Sequence, residues 1–269
     1  MINLNGISVV IRVDNRQVAI PAEHVREMVS MPRCTTLPNA PKHIRGVVNL
    51  RGRVLPAVDT RMLLGMVSAR AEAEQLVNML KQREEEHRRW IAELEASIRE
   101  CREFRLATDP TKCAFGKWYY SFKAENSETR MLLAKFEDPH REIHRLGVDT
   151  RALYDKGQGE EAIRQINSSR HTLQLLLDLF ASLYKALLDG SREIGMILDD
   201  GSRAGIFAVD SVLAVEPVLD SSGESNHGIM SWVQTKRFMR GVGIRRADKS
   251  LVLLADSNRF LECTGIPAG

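Results

Sequence analysis

The period of the apolar residues changes twice along the chain, and this limits the fold more than any other feature. Residues 1–66 carry apolar side chains at alternate positions, as at Ile7 and Val9, which is the period of a half-buried strand. Residues 68–188 carry them every three or four positions, which is typical of amphipathic helices. Alternation returns from residue 191. The chain is therefore predicted to be an α+β protein in which helices interrupt a β domain.

A short repeat indicates that the two β segments are related. Ile44-Arg45-Gly46-Val47 recurs as Met239-Arg240-Gly241-Val242, and the strand-like stretch that follows each copy ends in Asp59 or Asp256. Neither flank is large enough to form a good core alone, so both are expected in one domain. We therefore divide the chain into three parts, which are residues 1–68, an inserted helical bundle at 69–189, and residues 190–269.

Composition and charge exclude several classes of protein. The 269 residues are 43% apolar and 27% charged, and a net charge of +3 arises from 38 basic and 35 acidic residues without a basic tract. We therefore expect a globular protein that binds no nucleic acid. We also find no apolar run long enough for membrane insertion and no signal peptide, so we place the protein in the cytoplasm. There its four cysteines, at wide and irregular spacing, should stay thiols.

Four residues have the right chemistry for a tetrahedral metal site: His87, Cys113, His140 and His144. A helix predicted to begin with Asp138 as its N-cap would place His140 and His144 on one face, because they are four positions apart. Two imidazoles on one face can bind the same Zn²⁺, and a thiolate with a third imidazole would complete the shell. A shell with four protein ligands favours a structural, storage or sensing role over hydrolysis.

An HxxxH pair also arises by chance, so the alternative of buried core histidines stays open. His87 strengthens the metal interpretation because it lies on the apolar stripe of a helix predicted over 76–105. A histidine on a buried stripe needs a partner, which is either a metal or a hydrogen-bonding carbonyl. We find no Ser-His-Asp set, nucleotide loop or paired acids, and we expect no enzyme activity.

The remaining histidines and cysteines are not candidates for the site. His171 falls off the stripe of the last helix and should be exposed, whereas Cys101 lies on the stripe of the first helix and should be buried. The other residues without ligand spacing or a partner motif are His24, His43, His227, Cys34 and Cys263.

The run from Ile44 to Asp59, Ile-Arg-Gly-Val-Val-Asn-Leu-Arg-Gly-Arg-Val-Leu-Pro-Ala-Val-Asp, resembles the signature hairpin of CheW-like domains. Residues 191–261, with Arg240-Gly241-Val242, are similar to the second half of that domain. The resemblance implies two small five-stranded β-barrel lobes. It also implies an adaptor whose partners are a chemoreceptor signalling tip and a CheA-type histidine autokinase.

In CheW-like proteins the arginine of the Asn-Leu-Arg-Gly turn is implicated in receptor coupling, which carries over to Arg51. We therefore predict a receptor or kinase interface at Asn49, Arg51 and Val54, since arginine is well suited to interfaces. The alternative is an exposed polar turn with no partner.

The run Cys113-Ala114-Phe115-Gly116-Lys117-Trp118-Tyr119-Tyr120 resembles the signature of the chemoreceptor zinc-binding (CZB) domain. An upstream histidine and a Pro-His-x-x-x-His complete that family's ligand pattern, matched by His87, His140 and His144 after Pro139. The resemblance implies an antiparallel four-helix bundle that binds one Zn²⁺ per chain between its helices. We expect Phe115, Trp118 and Tyr119 to be core aromatics and Gly116 to allow a close backbone approach near the metal.

Joined together, the two resemblances imply a chemotaxis adaptor with an inserted sensor. The zinc-binding family is associated with zinc and with oxidants such as hypochlorous acid, which would act on Cys113 as a redox signal. A zinc site that is purely structural is the main alternative, and a zinc hydrolase is the other. A homodimer through the bundle stays open.

Overall fold

The computed structural model describes residues 6–124, 126–189, 193–221 and 236–265. The chain divides into two compact units, one of Met1–Ala71 with Ser191–Gly269 and the other of Glu72–Gly190. The assignment of domains to 1–68, 69–189 and 190–269 stays a prediction.

The first unit, the β unit, contains ten strands and two short α-helices in its described residues. Before the insert they are β1 (Ile7–Val13), β2 (Arg16–Pro21), β3 (Val25–Ser30), β4 (Ile44–Leu50), β5 (Arg53–Asp59) and α1 (Thr60–Leu63). The helices of the insert are α2 (Ala69–Arg99), α3 (Ala114–Ser121), α4 (Ser127–Ala134), α5 (Glu137–Asp155), α6 (Gly159–Ser168) and α7 (Arg170–Asp189). After it come β6 (Ile194–Asp199), β7 (Ala204–Val209), β8 (Ser211–Asp220), β9 (Met239–Arg245), β10 (Leu251–Ala255) and α8 (Ser257–Glu262).

The strands form two five-stranded layers, and each layer contains strands from both sides of the insert. A closed barrel has the order β1-β2-β10-β9-β8, and a sheet has the order β3-β6-β7-β5-β4. The bridge between Thr35 and Val47 adds two backbone hydrogen bonds on the other side of β4. The predicted fold class, with two five-stranded β layers interrupted by helices, is therefore confirmed.

One apolar core joins the two layers. Ile11 and Ile20 of the barrel pack in the same cluster as Phe207 of the sheet, and all three are buried. The strand β7 is buried at every residue because its opposite side, through Ile206, faces a second cluster. A strand with both faces covered reads as a continuous apolar run, as Ala-Gly-Ile-Phe-Ala-Val does.

The structure gives the two copies of the sequence repeat the same local fold. Each copy is an antiparallel hairpin, β4–β5 or β9–β10, followed at once by a short helix. Asp59 caps the first helix by accepting the N–H of Met62, and Asp256 caps the second by accepting the N–H of Arg259. The repeat therefore encodes a hairpin, a carboxylate cap and a helical turn.

The second unit, the helical unit, differs from the prediction at several helix ends. The first helix spans Ala69–Arg99 rather than 76–105. It begins earlier than predicted, where Ser68 Oγ accepts the N–H of Ala71. Cys101 lies beyond its end with a φ of 52° and is exposed, so the prediction of a buried Cys101 was wrong. Asp138 is not an N-cap, since α5 begins at Glu137 and Asp138 lies in its first turn.

The described residues of the insert form six helices, and short connections join consecutive helices from α3 to α7. Their shared core contains Leu94, Phe115, Ile143 and Phe180. Among the described residues, none of the helices combines the length and apolar character that a bilayer span requires.

Candidate metal centre

The structure brings the four predicted ligands of the helical unit together. His87 lies on α2, Cys113 directly precedes α3, and His140 and His144 lie on α5. Their ligand atoms all lie within 4.8 Å of one another, and the three histidines are at most 4% exposed. Residues up to 57 positions apart therefore meet inside the bundle core.

The separations suit one small ion. A tetrahedral zinc site with Zn–N of about 2.0–2.1 Å and Zn–S of about 2.3 Å has ligand atoms roughly 3.3–3.6 Å apart. Cys113 Sγ and His140 Nε2 are 3.3 Å apart, which matches that range. The widest separation, 4.8 Å, exceeds it by about 1 Å, a difference that small side-chain rotations can close.

Backbone carbonyls fix the orientation of two of the rings. His87 Nδ1 donates to the carbonyl oxygen of Arg83 at 2.7 Å, and His144 Nδ1 donates to that of Ala107 at 3.1 Å. This tautomer leaves the lone pair on Nε2 of each ring, where a metal ligand needs it.

Three buried ring nitrogens of the cluster have no hydrogen-bond partner within the described residues. They are Nε2 of His87, Nδ1 of His140 and Nε2 of His144. The core-histidine alternative explains the bonds to the Arg83 and Ala107 carbonyls but leaves Nε2 of His87 and Nε2 of His144 unpaired, which is costly in a protein interior. The donor set therefore fits a metal ion better than a packed core.

Cys113 is held in place by the start of α3. Its Sγ accepts the N–H of Gly116 at 3.1 Å and lies 3.4 Å from the carbonyl oxygen of Pro110. A Cβ on residue 116 would overlap that carbonyl oxygen and lie 3.4 Å from the sulfur. The Pro110 backbone can approach the start of α3 beside Cys113 only because residue 116 is glycine, which agrees with the close backbone approach expected from the sequence.

Burial sets the protonation of the metal-free cluster. It lowers the pKa of His87, that of His140 to about 3 and that of His144 to about 4, and repulsion from neighbouring rings adds to the lowering at His140 and His144. Burial also raises the pKa of the Cys113 thiol, against the N–H groups of Gly116 and Phe115. The metal-free cluster is thus neutral at pH 7, and a bound cation would favour loss of the thiol proton.

Three phenylalanines form an aromatic wall behind the cluster. Phe115, Phe136 and Phe180 are fully buried, and their ring centroids lie 4.9–5.4 Å apart. The ring of Phe115 meets His140 edge-on at 5.0 Å. The wall keeps water from this side of the cluster, and Phe115 is the core aromatic that the sequence predicted, with Trp118 and Tyr119 only partly buried beside it.

The predicted interface residues lie at the exposed β4–β5 turn of the β unit. Asn49 Oδ1 accepts the N–H of Gly52 at 2.9 Å, which stabilises the turn. The Arg51 side chain is 77% exposed and pairs with Glu27 at 3.2 Å, and Val54 is 64% exposed. These side chains are available at the surface, and their role stays a prediction.

The remaining histidines lie elsewhere. His171 is exposed, as predicted, and His24 and His43 bond to Ser257 Oγ at 2.8 Å and the Cys263 carbonyl at 3.3 Å. His227 lies outside the described residues.

The sequence did not reveal the groups that support the ligands. The Ala107 carbonyl accepts from Trp90 Nε1 at 2.9 Å as well as from His144, so one backbone atom fixes two side chains. Trp90 follows His87 by three positions on α2, so the sequence alone indicates that the two side chains are neighbours on that helix. A backbone carbonyl leaves no such signal.

Two family models match successive parts of the chain. The model of the CheW-like domain matches residues 8–92, and the model of the chemoreceptor zinc-binding domain matches residues 87–150. The second match contains His87, Cys113, His140 and His144.

Individual relatives cover short parts of the chain. It is 41% identical over 58 residues to a chemotaxis protein CheW of Rhizobium meliloti (strain 1021), which is 22% of this chain and 37% of that protein. It is 33% identical over 66 residues to a probable chemotaxis protein CheW of Rhizobium etli, which is 24% of this chain and 43% of that protein. The chain thus spans less than half the length of these relatives. The crystal structure of the scaffolding protein TtCheW from Thermoanaerobacter tengcongensis aligns with 93% of this chain and 88% of that one, at 11% identity and a TM-score of 0.40.

Proposed function

This chain joins a CheW-like domain to a chemoreceptor zinc-binding domain, and on that premise we propose that it is a chemotaxis adaptor whose coupling responds to the zinc site. The observation that carries the proposal is the buried cluster of three histidines and one cysteine inside the zinc-binding match. In this proposal the β unit links a chemoreceptor signalling tip to a CheA-type histidine autokinase in the cytoplasm.

His87, Cys113, His140 and His144 would hold one zinc ion per chain. Zinc would supply a tetrahedral cross-link between α2, the start of α3 and α5. The Arg83 and Ala107 carbonyls orient two rings, and the aromatic wall excludes water behind them. A filled shell leaves no position for substrate, so the proposed role is regulatory and not catalytic.

Two signals could change the packing of the bundle. Zinc occupancy is one, because metal binding contributes directly to folding free energy. Oxidation of Cys113 is the other, because it would remove one of four ligands. The chain enters the helical unit after α1 and leaves it before β6, so both covalent links join it to the sheet that carries the β4–β5 turn.

Asn49, Arg51 and Val54 are the proposed contact residues for the receptor or the kinase. They combine a charged planar side chain with an exposed apolar one on a turn held by an internal hydrogen bond. We propose no further interface, and dimerisation through the helical unit is a separate question for solution measurements.

The main alternative is an adaptor whose zinc is only structural. It differs from the proposal in one measurable way, since removing the metal would then leave receptor and kinase binding unchanged. A zinc hydrolase is the other alternative, and it requires that one ligand gives way to water. Under that alternative Cys113→Ala would keep the metal and gain hydrolytic activity.

The first test is metal content. Protein purified without added metal is compared with the double variant His140→Ala/His144→Ala and with His171→Ala, which removes an exposed histidine outside the cluster. We expect close to one zinc per chain in the wild type and in His171→Ala, and its loss in the double variant. A folded wild type without metal would overturn the proposal.

The second test asks whether zinc matters for coupling. Binding to a receptor signalling tip and to the kinase is measured with the zinc-loaded protein and again after chelation. A change in either affinity on chelation supports the sensor, while equal affinities leave only the structural zinc.

A further inference from the structure

A cleft of about 300 Å³ leads from the surface of the helical unit to the candidate metal centre. His87, Cys113 and His144 form its inner end, whereas His140 is not among its lining residues and is fully buried. The Nε2 atoms of His87 and His144 are buried and have no hydrogen-bond partner within the described residues. The cleft is therefore a route along which a metal ion reaches three of the four candidate ligands.

Apolar side chains make up much of the wall of this cleft. Trp90 is buried and Leu106 is exposed, so the apolar wall extends from the core of the unit to its surface. A divalent cation that left its water molecules beside such groups would lose hydration without a replacement, which is costly. Passage of a cation therefore requires a polar group that replaces some of this water near the surface.

Glu86 provides a polar group in this position. Within the described lining of the cleft it is the one acidic side chain, it directly precedes His87 on α2, and it is 40% exposed. Carboxylate oxygens bind zinc at about 2.0–2.2 Å, and zinc sites with a carboxylate ligand can retain a water molecule. The Glu86 carboxylate can therefore bind an ion that is still partly hydrated.

Arg83 holds this carboxylate in place and also orients His87. Its guanidinium donates to Glu86 Oε1 at 2.5 Å, and its carbonyl oxygen accepts from His87 Nδ1 at 2.7 Å. The first bond engages one carboxylate oxygen, and a carboxylate accepts through two. Arg83 thus fixes the position of the cleft carboxylate relative to the imidazole beside it.

The charge of Glu86 reaches the cluster. Burial lowers the pKa of His87 and raises that of Cys113, and the negative charge of Glu86 acts towards a higher pKa at both residues. Arg89 carries the opposite charge three positions further along α2, where it is exposed and also lines the cleft. A cation in the cleft is therefore attracted by Glu86 and repelled by Arg89.

We propose that Glu86 is the entry ligand of the metal site, whose carboxylate binds a divalent cation in the cleft and transfers it to His87, Cys113 and His144. The inference rests on the proposed function and deepens it by naming the residue that controls metal exchange. Cys113 loses its thiol proton to solvent when it binds the ion. Because Glu86 binds the ion only in passage, it controls how fast zinc is gained and lost and not how tightly it is held.

The test measures the rates of zinc loading and release in the full chain. Metal-free protein is mixed with Zn²⁺ and a fluorescent zinc indicator in a stopped-flow instrument, and zinc-loaded protein is mixed with excess chelator. Glu86→Gln keeps the size of the side chain and removes its charge. Both rates should fall about tenfold, which corresponds to about 1.4 kcal/mol in the barrier, whereas the Kd from chelator competition should change by less than about threefold.

Two further variants separate an entry ligand from a general effect of charge. Glu85→Gln removes the same charge at an exposed neighbour that does not line the cleft, and it should leave both rates as in the wild type. Arg89→Gln removes the opposing charge within the cleft and should accelerate loading.

Wild-type rates in a folded Glu86→Gln protein that binds zinc would overturn the entry ligand. Equal losses in Glu86→Gln and Glu85→Gln would also overturn it, because they would reflect net charge alone. A loss of affinity as large as the loss of loading rate would instead place Glu86 in the filled site and contradict the inference as well.

These outcomes are separate from those of the proposed function, whose tests are metal content and the effect of chelation on adaptor binding. Unchanged rates in Glu86→Gln leave both of those tests as they are. Conversely, a Glu86-dependent rate in a protein whose receptor and kinase binding ignores zinc would keep the entry ligand and overturn the sensor.

Discussion

Arg45 and Glu193 are 148 positions apart in sequence and are joined by two hydrogen bonds of 2.5 and 2.7 Å. Arg45 also binds Asp59 at 2.7 Å, so its guanidinium holds one carboxylate from each flank of the insert. Asp59 is 2% exposed and the Glu193 side chain 9% exposed. One side chain at the start of β4 therefore links the strand that precedes the helical unit to the residue that follows it.

Loss of this link should destabilise the β unit. Arg45→Met keeps much of the volume but leaves two poorly exposed carboxylates unpaired, which typically costs about 3–5 kcal/mol in the free energy of unfolding. Calorimetry should show a matching fall in the melting temperature. Arg16→Met, at an exposed arginine, provides the control, and a similar effect of both substitutions would contradict the role of the link.

Gly116→Ala should damage the metal site through the backbone. Its Cβ would overlap the Pro110 carbonyl, and relief of that overlap must move the loop or α3 away from Cys113. We expect a loss of about 1–3 kcal/mol in stability and a weaker affinity for zinc, measured by titration with a competing chelator.

The matched control is Gly159→Ala in the first turn of α6. The nearest atom to its Cβ is Tyr154 Cδ2 at 3.9 Å, so this alanine fits. It should leave zinc affinity unchanged and stability equal or slightly higher. If Gly116→Ala behaved like Gly159→Ala, the close packing around Cys113 would be of no importance for the site.

The metal-free protein should lose stability as the pH falls below about 6.5. The pKa of His140 is lowered to about 3 and that of His144 to about 4, so both stay neutral in the folded state while the unfolded chain takes up protons near its ordinary pKa. The unfolded state is then favoured by up to about 1.4 kcal/mol per histidine and pH unit, between pH 6.5 and the lowered values. Urea unfolding at pH 7.5 and pH 5.5, with chelator present, measures this slope.

Replacing one of these histidines tests the origin of the slope. His140→Leu removes a buried titrating group, so its stability should change less with pH over the same range. An unchanged slope in this variant would assign the pH dependence to other residues.

Arg51→Ala should weaken binding to a receptor signalling tip without affecting the metal. Truncating an arginine at the centre of an interface costs about 2 kcal/mol or more, which is roughly a thirtyfold loss of affinity. Its exposed pair with Glu27 contributes little to folding, so zinc content and melting temperature should stay as in the wild type. Arg16→Ala is the control, and parallel losses of zinc and binding would indicate misfolding instead.

The sequence predicted most of what depends on side-chain period. Alternation located β1 and β2 and the turn between them, and helical spacing placed His87 on a buried stripe and His140 with His144 on one helix face. These predictions succeed because the side-chain period is a local property of a strand or a helix.

The errors arose where the backbone changes direction. Cys101 continues the apolar spacing of α2, but the helix ends at Arg99 and Cys101 adopts a φ of 52° in the solvent-exposed turn. The break between α6 and α7 at Ser169 was likewise not apparent in a continuous apolar stripe. The orientation of His144 depends on the Ala107 carbonyl, and no side-chain pattern records where a backbone oxygen points.

The two β layers each combine strands from both flanks of the insert, and this determines when the strands can pair during synthesis. When the ribosome has finished β5, four of the strands β1 to β5 still lack a neighbour, since β1 awaits β8, β2 awaits β10, β3 awaits β6 and β5 awaits β7. The complete helical unit emerges before any of those partners. The insert can therefore fold, and bring its four candidate metal ligands together, while strands β1, β2, β3 and β5 still lack a neighbour and are exposed to aggregation on the nascent chain.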